Sequence, residues 1–204
     1  MAESAATPTT QRTSRWRVVD IVVASVLAVA VGVIFWAWSA GYGIIAAITA
    51  VFPPVGGLYG GGWLIAGVIG GLVIRKPGAA IYCELVAALV EALLGSSFGL
   101  AVLLSGLVQG LGAEIGFAVF RYRNFRLPVA LLAGALSGVM MGLNDSIVSY
   151  PEWELVWKVV YVIFGAISGA VIAGLLSWLA TRGLARTGAL STLASRNAAR
   201  EPVI

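Results

Sequence analysis

Residues 75–121 read RKPGAAIYCELVAALVEALLGSSFGLAVLLSGLVQGLGAEIGFAVFR, two apolar stretches bracketed by arginine that carry Glu84, Glu91, Gln109 and Glu114 among Ala, Leu, Val and Gly. A charged carboxylate at the centre of a membrane helix costs roughly 2.5–3.5 kcal/mol even on lenient insertion scales. Such groups persist where they face a bundle interior and find partners, which makes them the first place to look for function. The rest of the chain reads as scaffolding around them.

Composition supports the membrane setting. The 204 residues are 60% hydrophobic and 11% charged, against roughly 25% charged in a soluble domain. The net charge of +4 does not point to nucleic acid, because the basic residues sit in short segments flanking apolar runs instead of forming one patch. The sequence has no histidine and a single cysteine, Cys83, within an apolar run. That removes Ser-His-Asp and Cys-His chemistry, histidine metal sites and intrachain disulfides. No GxxxxGK[ST] phosphate loop is present, so ATP hydrolysis by that route is excluded. Neither a cofactor nor a metal is expected, and the chain reads as a non-enzyme.

Outward from the central stretch, residues 1–17 form a polar, Ala-, Thr- and Arg-containing tail expected to be disordered and cytoplasmic. Val18 to Ser39 is too long for the 7–15-residue core of a signal peptide and reads as a retained first span. Residues 42–74 are 33 mostly apolar positions interrupted by Pro53-Pro54 and by Gly56, Gly57, Gly60, Gly61 and Gly62. Two full crossings of about 20 residues each do not fit there. Residues 43–52 are therefore either a short span or a connecting or re-entrant segment ahead of a helix at 58–74.

Charge decides the count. Spans near 18–39, 57–74, 77–95, 99–121, 127–145 and 155–181 place 12 of the 13 basic residues on one side, with only Lys158 elsewhere. A seventh crossing would reverse that parity. The expectation is an all-α membrane protein, a six-helix transmembrane domain over 18–182 with both termini cytoplasmic, followed by a flexible cytoplasmic tail at 183–204. It sits in the cell (plasma) membrane of a prokaryote as a multi-pass protein.

Within this frame Glu84 and Glu91, seven residues apart, share a helix face, and Gln109 falls between their depths on the antiparallel neighbour. The three form one expected internal track. Glu114, five residues from Gln109, points about 140° away and suits a structural contact. Aromatic residues gather toward the outer rim, among them Tyr59, Trp63, Tyr150, Trp153, Trp157 and Tyr161, close to Asn144 and Asp145. An outward cavity floored by carboxylates and walled by rings suits a flat, cationic or amine-bearing ligand. Lys158 is expected to pair with Asp145 or Glu154. Small residues recur at intervals of four, at Ala24, Ala28 and Gly32, at Gly67 and Gly71, at Gly106 and Gly110, and at Gly112 and Gly116. Such stripes let helices approach closely, inside the bundle or, for the first span, against another subunit.

The runs RKPGAAIYCELVAALVEALLGSSFG, GLVQGLGAEIGFAVFRYRNFRLP and PPVGGLYGGGW resemble the substrate-binding S component of an energy-coupling factor (ECF) transporter, of the YkoE-like thiamin/hydroxymethylpyrimidine type, over about residues 16–182. That resemblance implies a pocket holding thiamin or its hydroxymethylpyrimidine precursor, formed by Glu84, Glu91 and Gln109, with Tyr59, Trp63 and Asn144 as further candidates. It also implies partners: a membrane-embedded coupling (T) subunit, docked on the face of Ala24, Ala28 and Gly32, and two ATPase subunits acting in trans. The competing expectation is an ion- or proton-coupled secondary carrier for a small amine-bearing or cationic solute, although no inverted repeat supports it.

Overall fold

The computed structural model describes residues 15–204, and residues 1–14 of the tail expected over 1–17 lie outside the described residues. Every regular element among the described residues is helical. The first, α1 (Val18–Val51), is a single helix of 34 residues. Residues 43–51 therefore continue the helix of the first span, and they are neither a separate crossing nor a re-entrant segment. Gly41 and Gly43 do not stop an apolar helix; the first real breaker is Pro53, and Phe52 ahead of it turns to an extended backbone (φ −139°, ψ 84°), as a residue before proline prefers. At 1.5 Å per residue α1 is about 51 Å long, well beyond a hydrocarbon core of about 30 Å.

The glycine-rich run that follows is helical too. A 3-10 turn at Pro53–Val55 leads into α2 (Gly56–Tyr59), a second 3-10 stretch at Gly60–Leu64 and then α3 (Ile65–Ile74). Residues 66–74 are all buried, so this is the central helix, and its lack of bulk allows neighbours on every side. It ends at Arg75, whose left-handed backbone (φ 59°) closes the helix. Gly78, also left-handed (φ 83°), opens α4 (Ala79–Leu93). Then come α5 (Ala101–Ala118), α6 (Leu127–Val148), α7 (Leu155–Ser168), a π-helical segment at Gly169–Leu175, and α8 (Leu176–Arg186). Five of the described helical runs, Val18–Ile45, Pro53–Ile74, Ala101–Ala118, Leu127–Val148 and Leu155–Arg186, are long and apolar enough to cross a membrane. The 15-residue α4 is shorter and packs among α1, α3 and α5.

Glu114 illustrates how a membrane carboxylate is satisfied structurally. Reaching from α5, it accepts hydrogen bonds from the backbone N–H groups of Gly78 (2.6 Å) and Ala80 (2.9 Å) and from the Tyr122 hydroxyl (2.7 Å). The first N–H groups of α4, which have no partner within their own helix, are thus capped by a charge from the next one. Burial and the adjacent Glu114 hold the Tyr122 hydroxyl protonated well above the usual tyrosine range. Replacing Glu114 by alanine strands those donors, and thermal unfolding should show a loss of about 2 kcal/mol with ligand affinity retained.

The small-residue stripes all turn inward. Gly106 and Gly110 lie against α4, Gly112 and Gly116 against α6, and Gly67 and Gly71 against α4 and α5. Ala24 and Ala28 are fully buried in a cluster with Cys83 and Ala87, and a Cβ on Gly32 would meet the Ala87 carbonyl and Val90. The docking face expected at Ala24, Ala28 and Gly32 is therefore the seam between α1 and α4, and the exposed side of α1 presents Val22, Val26, Val29 and Val33 instead. Residues 187–204 likewise depart from expectation, since they fold back on the bundle instead of trailing as a flexible tail. Leu190 and Leu193 are buried, the Ser195 hydroxyl donates to the Val73 carbonyl (2.7 Å), and Glu201 clasps the Arg75 guanidinium through two hydrogen bonds (2.5 and 2.8 Å).

A carboxylate-lined cavity between α1, α4, α5 and α6

A cavity of about 290 Å³ opens at the end of the bundle that carries the loops between α4 and α5 and between α6 and α7. Its polar lining comes from Glu91, Gln109, Ser105, Asn144 and Asp145, and its rings from Phe35, Tyr42, Trp63, Phe98, Tyr150 and Tyr161. Among the described residues, no lysine or arginine lines it.

Glu91 is held from one side only. The hydroxyls of Ser39 (2.5 Å) and Ser96 (3.0 Å) both donate to its Oε1, and the Trp63 indole N–H donates to Ser39 (2.9 Å). Among the described residues nothing bonds its Oε2. A cavity-lining carboxylate fixed through one oxygen keeps the other oxygen available to whatever enters. The Gln109 backbone carbonyl is pinned by Ser137 (2.9 Å), and its side-chain amide makes no hydrogen bond to a described residue, leaving a donor and an acceptor for a ligand. On the opposite wall Asp145 accepts from the Tyr161 hydroxyl (2.8 Å) and from the Asn144 amide (3.1 Å), which also reaches Ser105 (3.3 Å). Tyr42, Trp63 and Phe98 meet one another at ring-centroid distances of 5.8 to 6.0 Å, a tilted and edge-on trio along one side.

Four of the six expected ligand residues, Glu91, Gln109, Trp63 and Asn144, thus border one space. The other two do not. Tyr59 stacks on Trp38 (4.5 Å, 19°), donates to the Trp38 carbonyl (2.7 Å) and receives the Trp38 indole N–H on its own carbonyl (3.0 Å). It fastens α2 to α1 and supports Trp63 edge-on (5.5 Å). Glu84 is fully buried beneath the cavity, where its Oε2 accepts the Gly67 N–H and its Oε1 has no partner among the described residues. Gly67 and Gly110 bring the backbones of α3 and α5 over it, so the expected track from Glu84 through Glu91 to Gln109 is interrupted. Glu84→Gln should accordingly change ligand affinity by less than about threefold, roughly 0.6 kcal/mol, as read by calorimetric titration.

Tyr42, Phe98, Ser105 and Asp145 line the cavity without being among the expected ligand residues, whereas Tyr150 and Tyr161 of the expected aromatic rim do stand in its wall. Asp145 lies in the last turn of α6, and Lys158, expected to pair with Asp145 or Glu154, donates to the Pro151 carbonyl (2.7 Å) instead. The Tyr161 partner sixteen residues later becomes visible only once α6 and α7 are packed.

Comparison with known proteins places this architecture. Residues 19–140 match the family described as the permease component of an ABC-type cobalt transport system. YkoE of Bacillus subtilis (strain 168), provisionally named an HMP/thiamine permease protein, is 37% identical over 182 residues, covering 88% of this chain and 89% of YkoE. A crystal structure of an S-component of ECF transporter superposes with a TM-score of 0.81 at 38% identity, covering 88% of this chain and 91% of that one. This chain is a multi-pass membrane protein of the ECF transporter S-component family and a homologue of the YkoE permease.

Proposed function

We propose that the chain captures thiamin or its hydroxymethylpyrimidine precursor in the cavity between Glu91 and Asp145 and hands it to an ATP-driven importer. The supporting observation is the donor set. Two carboxylates, two side-chain amides and a wall of aromatic rings surround a space bordered by no cation among the described residues. An aminopyrimidine offers an exocyclic amine and ring nitrogens, which a carboxylate and a glutamine amide bond in pairs. A thiazolium cation gains from a carboxylate and from ring faces. Cobalt, named for the matching family, would find no imidazole ligand here, because this sequence contains no histidine.

In this reading α4 is the sixth crossing, and the basic segments around residues 15–17, 75–76, 121–126 and 182–200 face the cytoplasm with both termini. A coupling (T) subunit and two ATPases supply the energy, and the chain itself carries out no covalent chemistry. With the Ala24–Ala28–Gly32 stripe buried, docking on the T subunit falls to the exposed sides of the bundle. Titration of the purified protein with thiamin and with hydroxymethylpyrimidine should give saturable binding of at least one. In liposomes, the chain alone should show no gradient-driven uptake. No binding of either compound, or ion-driven uptake without ATPases, overturns the proposal.

A further inference from the structure

At the opposite end of the bundle, a second, open cleft of about 460 Å³ is lined by Ala185, Arg186, Arg196, Asn197, Ala199 and Arg200. Arg186 is in the last turn of α8, whereas Arg196 precedes and Arg200 closes the short 3-10 turn Ala198–Arg200 in the folded-back C-terminal segment. That segment is held in place by the buried Ser195 bonded to Val73 and by Glu201 on Arg75. Arg186, Arg196 and Arg200, all exposed, thus line one cleft from two parts of the chain on an anchored support.

No acid among the described residues answers them. Among the described residues at this end, Asp20 is engaged by Arg17 and Lys76, Glu114 caps α4 and Glu201 is committed to Arg75. Arg186, Arg196 and Arg200 make no ion pair and no side-chain hydrogen bond with any described residue, unlike Arg17, Arg75, Arg126 and Arg182. Gathering three like charges around one cleft is unfavourable unless an anion shares it. A guanidinium presents paired N–H groups matched to phosphate oxygens. The cleft also lies at the end of a 32-residue apolar run, Leu155–Arg186, at the level where a spanning helix meets lipid headgroups.

We propose that this cleft binds a phosphate group, that of an anionic phospholipid in the adjoining leaflet. The site is separate from the vitamin cavity, and it rests on the chain's membrane setting, not on the identity of the transported ligand. The test uses the full chain in nanodiscs and in detergent. Native mass spectrometry counts retained phosphatidylglycerol against phosphatidylcholine, and inorganic phosphate is titrated separately by thermal shift. The variant combines Arg186→Gln, Arg196→Gln and Arg200→Gln. A charge-matched control combines Arg15→Gln, Arg121→Gln and Arg123→Gln, exposed arginines outside the cleft. The cleft variant should lose phosphatidylglycerol by roughly fivefold per arginine removed and the control much less, with thiamin titration unchanged in both. A phosphate-dependent stabilisation that disappears in the cleft variant, with no lipid preference, keeps the phosphate site but assigns it to a soluble anion. Equal loss in both variants, or undiminished retention in the cleft variant, overturns the proposal.

Discussion

Glu91→Gln should weaken thiamin binding by at least a hundredfold while the protein purifies and melts as the wild type does. Glutamine keeps the volume of the side chain and still offers a carbonyl oxygen to Ser39 and Ser96, so the local network around Trp63 survives. What disappears is the negative charge beside the cavity. Removing one member of a desolvated charge pair costs about 2–5 kcal/mol, and roughly 2.7 kcal/mol corresponds to a hundredfold. Hydroxymethylpyrimidine lacks the thiazolium charge and should lose less, about tenfold for a weakened hydrogen bond. Isothermal titration of both ligands on wild type and variant separates the two contributions. An equal loss for both would assign Glu91 to the pyrimidine and leave the thiazolium to Asp145 and the rings.

Gly138→Leu should prevent recovery of folded, monodisperse protein. A side chain at this position on α6 would land on the Gly165 carbonyl of α7, and neighbouring Gly134 meets Gly169 in the same way. Backbone lies against backbone there, with no flexible group to move aside, and helix association in a bilayer depends on such packing. The expected penalty exceeds about 4 kcal/mol, the range reserved for a disrupted core. Gly43→Ala is the matched control, because a Cβ there meets nothing within 4 Å. Alanine in the middle of α1 should be neutral or stabilising by up to about 1 kcal/mol. Size-exclusion profiles and melting curves of the two variants read the contrast directly.

These residues also show how far the sequence could be read. The apolar runs and their basic flanks carry the helical membrane architecture, because burial in lipid leaves little choice of backbone structure. The seven-residue spacing of Glu84 and Glu91 correctly puts them on one side of α4, yet spacing says nothing about what covers that side. Glycines from α3 and α5 cover Glu84, whereas Glu91 meets hydroxyls and a cavity. The Ala24–Ala28–Gly32 stripe announces a close helix contact, but a stripe does not specify whether its neighbour lies within the chain or outside it. Residues 187–204 look like a tail because they are short of apolar residues, and Leu190 and Leu193 suffice to anchor them. Asp145 sits close enough to the helix end to pass for a loop acid until Tyr161 is brought to it.

The most direct test of the account is a crystal or cryo-EM structure of the purified chain with hydroxymethylpyrimidine or thiamin bound. Ligand density should be enclosed by Trp63, Gln109 and Asp145, with a ligand nitrogen within hydrogen-bonding distance of the Glu91 Oε2, and with Glu84 still bonded to Gly67. Density outside this cavity, or a ligand held by Glu84 after α3 and α5 have parted, would contradict it.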